Sequence, residues 1–217
     1  MFKRLFTYLC VMLAALLTVQ QAKAQYYSWG ADPVHFKWNI AKTDNVKVVY
    51  PRHAEQIGLS TLYYADKLNP YISYGFKLPQ LKLPFVVHPE NMRSNGLVMW
   101  LPKRIEFLSS PAIDGYSMPW IKQLVAHEYR HAAQYNNLNV GFVKFLSYLL
   151  GQQSSTIGLI YMPQWMMEGD ATQFETEASS FGRGKQPRFT LEFRAMSDIV
   201  SRYPNMDKYF CGSYRNY

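Results

Sequence analysis

The sequence predicts an α+β domain in which a small mixed sheet and one early helix precede two longer helices. Short segments rich in β-branched and aromatic residues fill residues 36–108, which is typical of strands. One helical pattern over 54–68 interrupts them, and helical patterns dominate after residue 119. Residues 25–217, 217 − 24 = 193 residues, are enough for one sizeable core, or for two small subdomains around a cleft.

The strand segments are separated by turn-forming residues. Five strands are predicted, near residues 36–40, 46–50, 81–87, 97–101 and 104–108. Thr43-Asp44-Asn45 and Pro102-Lys103 are suited to turns, and Asn69-Pro70 ends the early helix. Pro84 has no N–H to donate to a ladder, so its strand is expected at an edge of the sheet.

Four helical segments follow the strands. Residues 119–135 read PWIKQLVAHEYRHAAQY, with a proline suited to a first turn and Ser117 as a candidate N-cap. Phe142–Leu150 is nearly all apolar and is expected to cover the core; contact with a membrane surface or a partner remains an alternative. Pro163 suits another helix start, and a last helical stretch is expected near Leu191–Tyr203.

The first long helix contains His127-Glu128-Tyr129-Arg130-His131, a His-Glu-x-x-His pattern. Residues four apart share one helix face, because about 100° per residue brings position i+4 back to within roughly 40°. Two neutral imidazoles held in this way can bind one divalent metal, usually zinc. Glu128 is then placed to accept a proton from a metal-bound water. The alternative is a surface helix with two unrelated histidines.

Glu128 lies within the apolar stripe of this helix. The stripe comprises Ile121, Leu124, Val125, Ala132 and Tyr135. A carboxylate in that stripe loses hydration, which raises its pKa toward the range useful for a general base. A neighbouring metal ion would instead lower the pKa of Glu128.

A second motif follows in Pro163-Gln-Trp-Met-Met-Glu168-Gly-Asp-Ala171. It resembles the Trp-Leu-Asn-Glu-Gly-Phe-Ala segment of the gluzincin zinc metallopeptidases, particularly their aminopeptidase-like branch. The match covers Trp165, Glu168, Gly169 and Ala171. The resemblance implies a zincin-like, thermolysin-type domain in which Glu168 is the third zinc ligand, on a second helix packed against the first. Two His and one Glu with an open fourth position form a catalytic type of zinc site.

The resemblance also implies residues around the ligands. Glu175, seven residues after Glu168, and Asp170 are candidates for a carboxylate that orients a ligand histidine. Thr172 stands where the thermolysin-like branch has an aspartate. In this family a downstream Tyr or His stabilises the oxyanion, and the candidates here are Tyr209, Tyr214 and Tyr217. The Gly-x-Met-Glu-Asn motif of the aminopeptidase branch is missing from the sequence, so the resemblance supports a zinc site better than an aminopeptidase.

In gluzincins, the last edge strand before the His-Glu-x-x-His helix pairs with the peptide substrate as an added strand. By position, Arg104–Leu108 is the candidate for this strand. The segment Leu97–Leu101 is its rival, and both can also be ordinary members of the sheet.

Residues 1–24 are expected to be a cleaved signal peptide. Lys3 and Arg4 precede an apolar run over 5–17, and Ala22-Lys23-Ala24 is an Ala-x-Ala cleavage site. The run is shorter than the ~20 residues that span a bilayer, so the mature chain is expected to have no transmembrane span and to be periplasmic, outer-envelope or extracellular. Cleavage removes three cationic residues and no acid, which lowers the net charge from +8 to +5. No dense basic cluster appears, which argues against a nucleic-acid partner.

The mature part, 25–217, is expected to be one metallopeptidase-like domain. Residues 25–115 would be mainly strands plus one helix, and 116–217 mainly helical. The chain is short after the second metal helix and resembles the front of larger secreted bacterial proteins, in which a peptidase-like domain precedes a β-propeller. A truncated C-terminus and missing C-terminal domains are therefore expected. Cys211 is the single cysteine after residue 24, so an internal disulfide is not expected.

These features together predict a secreted zinc metallopeptidase. Its substrate would be a peptide or protein, its cofactor Zn²⁺, and its reaction peptide-bond hydrolysis by a zinc-activated water with Glu128 as general base. The alternative is a non-catalytic peptidase-like envelope module that binds zinc or peptide and supports a larger assembly.

Overall fold

The computed structural model describes residues 32–100, 102–111, 118–151, 158, 162–191 and 194–195, all within the unit Asp32–Tyr217. They form a mixed α+β structure with a five-stranded mixed sheet and four helices, which confirms the predicted class at this level. Several predicted features lie outside the described residues: the signal peptide, Ser117, most of the helical stretch near 191–203, Cys211, and the candidate oxyanion donors Tyr209, Tyr214 and Tyr217.

Each of the five predicted strands is present, with displaced ends. The bounds are β1 Trp38–Lys42, β2 Lys47–Pro51, β3 Pro84–His88, β4 Ser94–Trp100 and β5 Lys103–Ser109. The strand order is β1-β2-β3-β5-β4, in which β3 pairs in parallel with β2 and β5. The two outer pairs, β1 with β2 and β4 with β5, are antiparallel. The edges of the described sheet are therefore β1 and β4.

The prediction that Pro84 marks an edge strand is wrong. Pro84 is the first residue of β3, the central strand, and lies opposite Lys47 of β2. Proline is tolerated at the first position of a strand, because its missing N–H then removes no bond from the interior of the ladder.

The prediction that Arg104–Leu108 is the edge strand is also wrong. The edge is formed by β4, which contains most of the alternative segment Leu97–Leu101. β5 lies between β3 and β4, and its last five residues are all buried. A strand buried on both faces is typical of the interior of a sheet. In the sequence, the charged residue Glu106 interrupts the apolar run that would mark β5 as an interior strand. Its carboxylate is buried beside Arg104 Nε, with which it forms an ion pair.

The four helices are α1 Glu55–Leu68, α2 Trp120–Leu138, α3 Gly141–Leu150 and α4 Gln164–Glu177. A 3₁₀ turn at Arg52–Ala54 leads into α1, and short 3₁₀ turns at Arg183–Lys185 and Pro187–Thr190 follow α4. Pro119 and Pro163 lie immediately before α2 and α4, with extended backbone angles. The helix starts predicted from these prolines are therefore correct to within one residue.

The core forms where α1 and α2 pack against the sheet and against each other. Tyr129 of α2 is 1% exposed, and its ring makes an edge contact with Phe85 at 5.2 Å between centroids. Asn69 Nδ2 donates to the Tyr129 hydroxyl at 2.6 Å. Tyr129 lies roughly 200° around the helix from His127, so its burial turns His127 away from the core.

Helix α3 does not cover the core as predicted, because it buries none of its residues. Its residues Phe142, Phe145, Tyr148, Leu149 and Leu150 are each more than half exposed. The core is formed by the sheet with α1 and α2, and an apolar composition alone did not bring α3 into it. No helix in the described ranges is long and apolar enough to cross a bilayer.

Two helical glycines provide a test of the packing between α1 and the sheet. A Cβ added at Gly58 of α1 would overlap the ring of Tyr50, whereas one at Gly169 of α4 would meet nothing within 4 Å. Overpacking costs about 1–3 kcal/mol, which exceeds the ~0.5–1 kcal/mol that alanine gains over glycine inside a helix. We expect Gly58→Ala to lower the free energy of unfolding in urea and Gly169→Ala to raise it or leave it unchanged. Equal effects of the two substitutions would contradict this packing.

Candidate metal centre

Three predicted ligands, two from α2 and one from α4, bring their side-chain donor atoms together. The Nε2 atoms of His127 and His131 lie 3.1 Å apart. Glu168 Oε2 is 3.2 Å from the first of these atoms and 3.6 Å from the second. This is the one group of three or more His, Cys, Asp or Glu residues suited to a metal in the part of the chain that the structure describes.

The dimensions of this triangle fit a zinc-sized ion. A tetrahedral zinc ion with bonds of about 2.0–2.1 Å holds its ligand atoms roughly 3.3–3.4 Å apart. The three observed separations, 3.1, 3.2 and 3.6 Å, bracket that range. The donor set, two imidazole nitrogens and one carboxylate oxygen, is also one that zinc accepts. The side chains therefore need only small movements to bind such an ion.

The electrostatics of the ligands are those of an ion pair. Burial alone would lower the pKa of His127, but the hydrogen bond to Glu168 and the nearby carboxylates of Glu175 and Glu128 outweigh it and raise that pKa to about 9. The hydrogen bond from His127 and the proximity of His131 hold the pKa of Glu168 far below its usual value. At neutral pH, the proton on His127 therefore balances the Glu168 carboxylate, and a metal ion must displace it.

Glu128 is buried beside the ligands, as its place in the apolar stripe predicts. Burial raises the pKa of its carboxyl group, although the charges of His131 and His127 partly oppose this. The backbone of Gly96 in β4 lies directly against the carboxylate: a Cβ at that position would overlap the Glu128 side chain. Glycine therefore permits the edge strand to approach the candidate base closely.

A cleft of about 540 Å³ exposes these groups. Residues 95–98 of the edge strand β4 line one side of it, and Met162, Gln164 and Met167 line the side formed by α4 and the residues before it. Tyr135 also lines the cleft and carries the one hydroxyl among its described lining residues. Burial and the charges of Glu128 and Glu168 raise the pKa of this tyrosine, so it remains a proton donor at neutral pH.

The two carboxylates proposed to orient a ligand histidine occupy different places. Glu175 is fully buried, with Oε2 at 3.6 Å from His127 Nδ1 and Oε1 at 2.8 Å from Arg183 Nε. Asp170 instead accepts two hydrogen bonds from Arg130, at 2.7 and 2.8 Å. Glu175 thus faces a ligand ring directly, whereas the hydrogen bonds of Asp170 reach a ligand only through another side chain.

That side chain is Gln134, which the sequence analysis missed. His131 Nδ1 and Gln134 Oε1 are 2.8 Å apart, and Gln134 Nε2 donates to Asp170 Oδ2 at 2.7 Å. Arg130, inside the His-Glu-x-x-His pattern, was missed as well. The available signal was helical spacing: Gln134 follows His131 by three residues, and residues three apart are neighbours on a helix surface.

Comparison with known proteins adds no family assignment. No family model matches the chain, and no curated protein matches it. The function of this chain is therefore inferred from the side chains of the site and from their geometry.

Because His127 must lose its proton to bind a metal, zinc binding should depend on pH. Its pKa is about 9, so at pH 7 the ring is protonated and binding releases about one proton from it. We expect the zinc dissociation constant to fall about tenfold per pH unit from pH 6.5 to 8. Calorimetric titration in buffers of different ionisation enthalpy measures the released proton. Equal affinity at both ends of this range, with no proton released, would contradict the ion pair.

Proposed function

We propose that this chain is a zinc-dependent metallopeptidase with a zincin-like, gluzincin-type catalytic domain. One observation carries the proposal: the donor atoms of His127, His131 and Glu168 converge beside the buried carboxyl group of Glu128, in a cleft bordered by an edge strand. Metal binding alone does not require a carboxylate at position 128. A general base adjoining an open metal site indicates hydrolysis.

Each side chain has a distinct part in the proposed reaction. His127, His131 and Glu168 would hold the metal, which when bound supplies a Lewis acid that polarises a carbonyl group and acidifies water. Glu128 accepts the proton of the attacking water and passes it to the leaving amine. Its raised pKa suits this exchange, because a base must also be able to release the proton it has taken. Tyr135 is an available hydrogen-bond donor on the wall of the cleft.

The substrate proposed for this site is an extended peptide. β4 is an edge of the described sheet and also lines the cleft, so its outer backbone groups are available to pair with an added strand. Leu97 and Val98 of this strand, with Met162 and Met167 opposite, give the cleft apolar walls. Peptide backbone recognition by β4 would bring the scissile bond beside Glu128, because Gly96 lies directly against that carboxylate.

Zinc content is the first test of this function. We expect about one zinc per chain in the purified protein, and loss of that zinc in His131→Ala, because two remaining ligands bind zinc weakly. Atomic absorption on matched samples of both proteins gives the measurement, and thermal unfolding checks that the variant folds. A wild-type protein that stays free of zinc after reconstitution would overturn the proposal.

The role of Glu128 is tested by Glu128→Gln, which keeps the shape of the side chain but removes its basicity. We expect zinc content to be unchanged and the rate of peptide cleavage to fall by about 10²–10⁴-fold. A quenched-fluorescence peptide library provides the substrate. Glu177→Gln is the matched control, since Glu177 lies at the exposed end of α4, where it accepts a hydrogen bond from Gln173. Equal cleavage by Glu128→Gln and wild type would show that the mechanism is wrong.

A further inference from the structure

We propose that Gln134 is a positioning residue of the metal centre, which holds His131 in the Nδ1–H tautomer and ties this ligand to the backbone beside Glu168. The inference rests on the metal site of the proposed function and deepens it. It follows from the hydrogen bonds of one buried amide.

The orientation of the Gln134 amide is determined by its partners. Its Nε2 lies 2.9 Å from the carbonyl oxygen of Met167 and 2.7 Å from Asp170 Oδ2, and an ionised Asp170 can only accept hydrogen bonds, as can the carbonyl. The amide nitrogen supplies two N–H groups, and these two acceptors use both. If the amide were flipped by half a turn, its oxygen would lie against the Met167 carbonyl oxygen and Asp170 Oδ2, and none of these three atoms can donate a hydrogen bond. Oε1 must therefore face His131.

This orientation determines the tautomer of His131. Gln134 Oε1 lies 2.8 Å from His131 Nδ1, and an amide oxygen can only accept, so Nδ1 carries the proton. In a neutral imidazole the lone pair is then on Nε2. Nε2 is the atom that faces His127 and Glu168 in the ligand triangle. Gln134 thus keeps His131 ready for coordination, whereas the other tautomer would place a hydrogen where the metal binds.

The same side chain joins the two ligand-bearing helices. Met167 immediately precedes Glu168, so the bond from Gln134 to the Met167 carbonyl fixes the third ligand relative to His131. Asp170 is held in turn by two hydrogen bonds from Arg130, whose Nη1 also donates to the carbonyls of Ile72 and Tyr74 at 2.8 Å. Gln134 and Arg130 are each 7% exposed, so water competes little for these bonds.

The experiment compares Gln134→Met with Gln123→Met. Methionine keeps the length of the side chain but can neither accept from His131 nor donate to Met167. Gln123 is a matched control because it is buried on the same helix, and its amide nitrogen has no hydrogen-bond partner in the described part of the chain. Zinc affinity is measured by competition with a chromophoric chelator. In the zinc-loaded protein labelled with ¹⁵N-histidine, NMR reports the His131 Nδ1–H signal and its exchange with water.

We expect wild type to show a slowly exchanging His131 Nδ1–H signal. Gln134→Met should lose this signal and bind zinc about 10–100-fold more weakly, while Gln123→Met stays within about twofold of wild type. If Gln134→Met fails to fold, Gln134→Asn replaces it, because it keeps an amide but withdraws it by one methylene.

Three results would overturn the positioning role of Gln134 and leave the proposed function unaffected. These are wild-type zinc affinity with a retained Nδ1–H signal in Gln134→Met, equal losses in both methionine variants, or an Nε2–H signal for His131 in wild type. A wild-type protein that binds no zinc would instead overturn the proposed function, and this inference with it.

Discussion

The ion pair between Arg130 and Asp170 is the interaction on which the candidate site depends. It joins α2 to α4, the two helices that carry the ligands, through two hydrogen bonds to one carboxylate. Burial alone would raise the pKa of Asp170, but the bonds from Arg130 and Gln134 outweigh this and lower it, so the carboxylate stays charged at neutral pH. Removal of either charge would leave the other partly buried without compensation, which is costly. The positions of His131 and Glu168 follow from this pairing.

Three glutamates surround the two candidate ligand histidines, and they differ in exposure, in hydrogen-bond partners and in charge state. Glu168 is half exposed, hydrogen-bonded to His127 and 3.6 Å from His131 Nε2, so it is charged and open to the cleft. Glu128 is buried against Gly96 with a raised pKa, which suits proton exchange. Glu175 is fully buried between His127 and Arg183. In the proposed function, one residue type would therefore serve as ligand, base and orienting group, because each environment favours a different use of the carboxylate.

The sheet contributes by presenting an edge to this group of carboxylates. Within the described sheet, β4 pairs only with β5, and its residues 95–98 line the cleft. Gly96 permits the close approach, since any side chain there would displace Glu128. In the described part of the chain, an edge of the sheet therefore lies beside the candidate base, which is the geometry that the proposed recognition of an extended peptide would use.

The sequence by itself determined the local features of this protein. Helical periodicity located α1 and α2, Pro163 marked the start of α4, and the spacing of His127 and His131 placed both rings on one face before any fold was known. The family resemblance at Glu168 supplied the third member of the group that the structure brings together. The helices and the histidine pair depend on residues within a few turns of one another, so the rules of helix geometry are sufficient to find them, whereas Glu168 was found only through the resemblance.

Only the tertiary structure decided which segments meet. Alternating apolar residues are compatible with several strand orders, so the interior position of β3 and the edge position of β4 could not be read from Pro84 or from Arg104–Leu108. The exposure of α3 could not be read from its apolar composition, because burial depends on where a helix packs. The bond that links Gln134 to Asp170 spans 36 positions and exists because α4 docks on α2. Contacts of this kind result from packing between distant segments, which local spacing does not encode.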